Sequence, residues 1–524
     1  MQYFKKIFYT SGFWFPILLF IIVCMKDVNS FSLYGSVILA FFVIFISDLS
    51  PSKQVNRTIQ IFGMLFYNII LFIQISHFYL FNDHIKSSTL FIVFDSNSNE
   101  TIGFLSMYLD ASIICFLSLL MLFFVISILL SFKRVCFRIK SIYKVIFISV
   151  FCVSLLFYEV REQTFPHIIY RAFNEYKKDK QKLNQVVLDR LGGDFSEVSH
   201  VSNKKEIYVL IIGESTTRSH MQLYSYYRNT TPKLNSIKND LVVFNDVISP
   251  HTHTLTSLGK VLTLASAKAP NKKYNGTLIQ LFNKANFKTY WLSNQKPLGL
   301  NETLTTIISK NCDEQVFINT TDKSKDYNIL KPLKRILKQT DNRKFIVIHL
   351  MGTHGDYSDR YPEEFNVFYS KPITKFKHKK AYETINAYDN AVLYNDHILS
   401  EIIKEIKTEN SKSYVLYFSD HGEDVYENLN VACHTENKGT KPMYDIPFIL
   451  WRSKKFKEDK NEFVFDVSRK YSSENLLYTL SDLSSVNFKE FISDKSIFNK
   501  HYEPEDRIIL NNKLYDDVFN FEEE

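Results

Sequence analysis

The chain has 524 residues, 46% of them hydrophobic, and a formal net charge of +8, enough length for two or three domains. Long apolar runs fill the chain up to about residue 158, and the remainder reads as a soluble domain. Much of the positive excess sits beside the apolar runs, which sets nucleic-acid binding aside in favour of a membrane surface. Of the six cysteines, only Cys312 and Cys433 fall in the soluble part, where they either pair or stay free.

Five stretches, near 11–27, 31–48, 59–81, 110–132 and 142–159, reach or approach the roughly 20 apolar residues that cross a bilayer as a helix. More spans follow the first and no small-residue cleavage site stands out, so it is not a cleavable signal peptide. Lys5 and Lys6 precede span one, Lys53 and Arg57 lie between spans two and three, and Lys133, Arg134, Arg138 and Lys140 lie between spans four and five. The loops on the other side hold only Lys26 and Lys86. This bias puts the N-terminus in the cytoplasm and everything after about Glu159 outside it. A connector over 160–204 follows. There Phe165, Ile168, Ile169 and Phe173 precede the basic stretch Lys177–Lys182, a pattern for a helix along a membrane surface or for a solvated linker. Gly192-Gly193 marks a break before the next domain.

From Lys205 onward, short apolar runs alternate with amphipathic stretches. Strand-like runs are Ile207–Ile212, Leu241–Phe244, Thr289–Leu292, Phe345–His349, Tyr414–Phe418 and Pro447–Trp451, with helix-like segments at 277–286 and 380–406. This alternation predicts an α/β domain with a mostly parallel sheet, whose sites form at the carboxyl ends of strands. Glu214 follows the first run, His349 and His354 the fourth, and Asp420 and His421 the fifth. One such residue has an ordinary explanation as a capping or solvated group; carboxylates and imidazoles at successive strand ends point to zinc. Glu214, Asp420 and His421 supply three ligands, and a metal-activated hydroxyl can take the fourth place. Such a nucleophile belongs at a helix start, where backbone N–H groups favour phosphate. The segment Ser249–Leu258 offers Thr252, Thr254, Thr256 and Ser257, and the pattern alone leaves all four open.

The stretch IYVLIIGESTTRSHMQLYSYYRNTTPKL (207–234) resembles the metal-binding opening of the phosphoethanolamine transferases, members of the sulfatase and alkaline-phosphatase superfamily. HLMGTHGDYSDRYPEEF (349–365), AYDNAVLYND (387–396) and YFSDHGED (417–424) follow in that family's order, after the five spans. The resemblance implies a five-helix membrane domain over 1–159, the connector over 160–204 and a sulfatase-like α/β/α sandwich over 205–524. It implies one zinc ion, or two, held by Glu214, Asp420, His421 and the nucleophile. That nucleophile is the second threonine of a segment the family often writes SCGT-x-T, which falls on Thr254. Pro250 and His251 replace the family's cysteine and glycine, so Thr252 stays an alternative. His354 and His434 match histidines that assist substrate or hold a second zinc, and His349 opens the same block. Ser96 and Glu100, in the 82–109 loop, have the spacing of a family pair beside the donor headgroup, and Asn294 and Gln295 are candidate substrate contacts.

Several cysteines that form disulfides in the lipid A-modifying members are missing, and GESTTRSHMQLYSY looks closer to the branch that modifies the lipopolysaccharide core. The implied reaction moves phosphoethanolamine from phosphatidylethanolamine to lipopolysaccharide, at its core heptose or lipid A, through a phosphothreonine-type intermediate. The implied setting is the bacterial inner membrane, with the catalytic domain periplasmic and the protein monomeric. Rivals are a phosphoglycerol transferase and a metal-dependent phosphatase or sulfatase; a sulfatase needs a Cys/Ser-x-Pro-x-Arg motif, which is missing near 249–258.

Overall fold

The computed structural model describes residues 11–23, 52–81, 109 and 111–131, five isolated positions (35, 142, 145, 146 and 149), and 165–519 apart from 296–303, 320–323, 436–438, 460–461 and 510–511. The chain divides into two units, Met1–Asp179 and Lys180–Glu524.

In the first unit, α1 (Ser11–Val23), α2 (Lys53–Phe81) and α3 (Ala111–Ser131) pack on one another. Their shared core includes Ile17, Tyr67, Leu71, Ile75, Leu120 and Phe124. Large apolar side chains also cover the outside, among them Leu18, Phe62, Phe66, Met121 and Leu129. A helix apolar all round needs lipid or protein on every side. Within α2 and α3, Arg57–Tyr79 and Ala111–Leu129 are long and apolar enough to cross a membrane. These helices coincide with the first, third and fourth expected spans. The expected spans at 31–48 and 142–159 lie almost entirely outside the described residues. The connector forms α4 (Phe165–Leu188), and Gly193, at φ +87°, takes up the turn beyond it.

The second unit is built on seven strands: β1 (Glu206–Gly213), β2 (Leu241–Val243), β3 (Lys288–Ser293), β4 (Glu314–Phe317), β5 (Arg343–His349), β6 (Lys412–Ser419) and β7 (Phe448–Arg452). Their order across the sheet is β2-β7-β6-β1-β5-β3-β4. The five strands from β6 to β4 run parallel, and β7 is antiparallel to both of its neighbours. Alternation along the strands fills two cores. Ile207, Val209 and Ile211 pack under α7 (Leu330–Leu337) and α8 (Lys379–Thr408). Tyr208, Leu210 and Ile212 pack under α5 (Thr254–Val261), α6 (Leu278–Lys284) and α9 (Leu476–Leu483). The α/β/α sandwich expected from the sequence is therefore present. The sequence pattern did not reveal β4, because Glu314–Phe317 is a half-exposed edge strand of four residues.

Register positions the site. Ile212 pairs with His349, Gly213 with Ser419, and Ser293 with His349. The carboxyl ends of β1, β3, β5 and β6 are therefore level, and the residues that follow them share one edge. Cys312 and Cys433 are both buried, and no disulfide joins them.

Candidate active site

Glu214 leaves β1, and Asp420 and His421 leave β6 next to it. All three are buried, and their ligating atoms lie within 4.8 Å of one another. His421 Nε2 stands 3.5 Å from Glu214 Oε1 and 3.5 Å from Asp420 Oδ2. His421 Nδ1 lies 2.8 Å from the Gly422 carbonyl, which fixes the tautomer that leaves Nε2 free for a metal. Asp420 Oδ1 accepts from the backbone N–H of Ser215 (3.1 Å) and His421 (2.7 Å), whereas Asp420 Oδ2 is buried and, among the described residues, has no hydrogen-bond partner. A buried carboxylate oxygen without a hydrogen bond is costly unless a cation meets it. The donor set of two carboxylates, one imidazole and a nearby hydroxyl fits zinc.

Electrostatics agree with that fit. Burial, and then the Asp420 carboxylate, push the Glu214 carboxyl up to about 7. Burial opposes charge on His421, but Asp420 and Glu214 outweigh it and raise its pKa. Glu214 and His421 thus retain protons near neutral pH that a metal ion would displace.

The hydroxyl is Thr254, the first residue of α5. Its Oγ1 donates to Glu214 Oε1 at 2.9 Å and lies 3.4 Å from His421 Nε2. Thr252 is fully buried, and among the described residues its Oγ1 has no hydrogen-bond partner. Thr256 Oγ1 donates to the His253 carbonyl. Ser257 and Ser249 both donate to the Asp420 carbonyl at 2.6 Å.

A second cluster adjoins the first. His421, Glu423 and His434 also bring ligating atoms within 4.8 Å of one another. His434 Nδ1 is 2.7 Å from Glu423 Oε2, and the Tyr357 hydroxyl donates to Glu423 Oε1 at 3.0 Å. The His434 ring lies 4.4 Å from that of His421 and 5.1 Å from that of His253.

A profile of the sulfatase family matches residues 206–486. Phosphoethanolamine transferase CptA of Salmonella typhimurium is 31% identical over 474 residues, covering 83% of this chain and 82% of that one. The chain belongs to the phosphoethanolamine transferases of the sulfatase family. Among solved structures, the C-terminal periplasmic domain of EcEptC from Escherichia coli in complex with Zn is 34% identical, with TM-score 0.59, covering 61% of this chain and 94% of that one. The integral membrane lipooligosaccharide phosphoethanolamine transferase A from Neisseria meningitidis shares the fold over 94% of this chain and 97% of that one, at TM-score 0.65 and 18% identity.

The remaining candidate residues of this transferase fall into three groups. His349 and His354 are kept neutral: burial lowers the first to about 4, and burial, Arg360 and the neighbouring imidazoles of His434 and His421 lower the second to about 3. Asn294 and Gln295 support backbone and make no hydrogen bond to the triad. Asn294 Nδ2 donates to Asp326 Oδ1 (2.7 Å) and the Ser324 carbonyl (3.1 Å), and Gln295 Nε2 donates to the Leu350 carbonyl (3.0 Å). Ser96 and Glu100 lie outside the described residues.

Other residues of the site were not singled out in the sequence. Glu423 stands inside the SDHGED stretch, so its contact with His434 had a visible signal. Tyr388 stands inside the AYDNAVLYND stretch but was given no role: from α8 its hydroxyl donates to the Ser215 carbonyl (2.8 Å) and accepts from the Thr217 N–H (2.9 Å). Thr353 Oγ1 donates toward the Glu214 and Ser215 carbonyls. These clamps hold Ser215 at φ +55°, a left-handed conformation that needs such support. Asp326 accepts the N–H groups of Met351 and Gly352, each at 2.9 Å.

Gly352 makes a test of this scaffold. Its φ is +54°, and a Cβ there would stand 2.8 Å from the Glu214 nitrogen and 2.9 Å from its carbonyl oxygen. Gly352→Ala is expected to destabilise the fold by about 1–3 kcal/mol and to weaken metal uptake by moving Glu214. Denaturant titration and metal-binding calorimetry on the same sample check both effects.

Proposed function

We propose that this protein moves phosphoethanolamine from phosphatidylethanolamine to a lipopolysaccharide acceptor, at the core heptose or lipid A, with Thr254 as the covalent carrier. One observation carries the reading: Thr254 Oγ1, at the start of α5, lies 2.9 Å from Glu214 Oε1 and 3.4 Å from His421 Nε2. Glu214, Asp420 and His421 would hold a zinc ion, with the Thr254 oxygen completing the set. A bound zinc ion supplies positive charge that lowers the hydroxyl pKa and offsets charge on the phosphoryl oxygens.

The chain's own residues do the rest. Thr254 Oγ1 gives up the proton it now directs at Glu214 and attacks the donor phosphorus. The bond from phosphorus to the diacylglycerol oxygen breaks, and that oxygen takes a proton. His434, steadied through Nδ1 by Glu423, is placed to supply it. The first N–H groups of α5 lack helical acceptors and suit the phosphoryl oxygens. An acceptor hydroxyl then attacks the same phosphorus and gives its proton back to His434, while the bond from phosphorus to Thr254 Oγ1 breaks and that oxygen recovers its proton from Glu214. The membrane helices bring this site to substrates that stay in the bilayer, on the periplasmic face of the inner membrane.

Glu423→Gln is expected to lower kcat by roughly 10- to 100-fold while leaving donor KM within a few-fold, and steady-state kinetics on the full chain check it. Deletion of the gene tests the overall reading. Glycolipid mass spectra should lose the mass of a phosphoethanolamine group, and an unchanged spectrum would refute the assignment.

A further inference from the structure

We propose that residues 366–380 form a strap that docks the active-site end of the catalytic domain on an anionic phospholipid surface. The segment NVFYSKPITKFKHKK contains Lys371, Lys375, Lys377, Lys379 and Lys380 and no acidic residue. Lys379 pairs with Glu383 at 3.6 Å; among the described residues, the other four lysines have no ion-pair partner. Large apolar side chains stand out between them: Tyr369 is 87% exposed, Ile373 77% and Val367 47%.

This exposure sits on a pinned backbone. Asn390 Oδ1 accepts the N–H groups of Val367 (3.0 Å) and Phe368 (2.8 Å). Arg228 donates to the Ser370 carbonyl, and Thr374 Oγ1 to the Tyr426 carbonyl. His378 accepts the Ala381 N–H and caps α8. The strap therefore presents a fixed row of basic and apolar tips.

Its place follows from lengths. The 30 residues of α8 span about 45 Å, and α8 returns to β6 through only Glu409–Ser411. The eight residues of β6 span about 27 Å. Running antiparallel to β6, the helix overshoots the sheet edge that carries Glu214, Asp420 and His421, so its N-terminus and the strap stand proud on that side. The strap also packs on the 424–434 loop, which ends at His434: Phe376 meets Tyr426, and His378 Nε2 lies 2.7 Å from Asn430 Oδ1.

Lysines alone would suit any polyanion. Valine and isoleucine tips have no use against sugar phosphates, but they fit the boundary between headgroups and acyl chains, where basic residues add attraction to acidic lipid. This docking holds whichever group the site transfers.

Amine-reactive footprinting tests it on the full wild-type chain, reconstituted in nanodiscs of phosphatidylcholine with or without phosphatidylglycerol. Lys454, with a side chain 90% exposed just after β7 at the opposite sheet edge, is the internal reference. Acidic lipid is expected to lower labelling of Lys371, Lys375 and Lys377 several-fold relative to Lys454, and high salt to restore it. Equal labelling in both discs would overturn the proposal. Protection that appears only when phosphorylated glycolipid is added to phosphatidylcholine discs would also overturn it, and would make the strap an acceptor site.

Discussion

Thr254→Ala is expected to lower turnover by roughly 10³-fold or more with folding intact. The side chain is only partly buried, and its one strong contact is to Glu214, so its loss should cost stability no more than about 1 kcal/mol. Thr252→Ala is the paired control. Thr252 is shut inside the protein with no hydrogen bond to the triad, and its truncation should leave kcat within about threefold of wild type. Thr254→Ser should recover part of the activity, because it keeps the oxygen and loses only a methyl. Comparable losses at both threonines would mean that the segment acts through its conformation rather than through one hydroxyl.

Asp420→Asn is expected to weaken zinc binding by about 100-fold or more, and activity should fall with it. The reason is Oδ2, a buried carboxylate oxygen that no hydrogen bond among the described residues satisfies. The amide keeps the shape and removes the charge. The same chemistry sets a pH dependence. The folded Glu214 carboxyl is raised above its ordinary value of 4.5 to about 7, by burial first and Asp420 second. His421 is also raised, with Asp420 and Glu214 overcoming the effect of burial. In both cases the metal-free fold binds protons more tightly than the unfolded chain. For Glu214 that contribution to stability is full below about pH 4.5 and is lost by about pH 7; for His421 it is full below about pH 6.5 and is lost above it. Zinc replaces those protons, so the gap in Tm between zinc-loaded and chelated protein should widen from about pH 6 to about pH 8. Zinc binding at pH 7 should release about one proton, measurable by calorimetry in buffers of differing ionisation enthalpy. A gap that narrows with rising pH would contradict this picture of the triad.

How far the sequence alone could be read depended on burial. The central strands were visible because β1, β5 and β6 are covered on both faces and so appear as unbroken apolar runs. At the sheet edge that rule fails: β4 is short and half exposed, and its residues resemble a loop. The triad was legible because parallel register brings strand ends level, so chemistry placed after β1 and β6 converges without knowledge of the loops. Choosing among Thr252, Thr254, Thr256 and Ser257 needed the starting turn of α5, which decides which hydroxyl faces Glu214 and which bond back to the chain. Asn294 was a candidate substrate contact because it follows a strand; its amide hydrogens go to Asp326 and Ser324, and among the described residues its amide oxygen has no hydrogen-bond partner. The supports of the loop after β1 come from distant positions such as Tyr388 and Thr353, and no local pattern announces contacts made across more than a hundred residues.

The central claim is that Thr254 carries the transferred group. The most direct measurement is intact and peptide mass spectrometry of the full-length, zinc-loaded protein after incubation with phosphatidylethanolamine and no acceptor. One added phosphoethanolamine group on Thr254, absent in Thr254→Ala, is the predicted result. An adduct on another residue, or a phosphoglycerol adduct formed from phosphatidylglycerol in its place, would contradict the account.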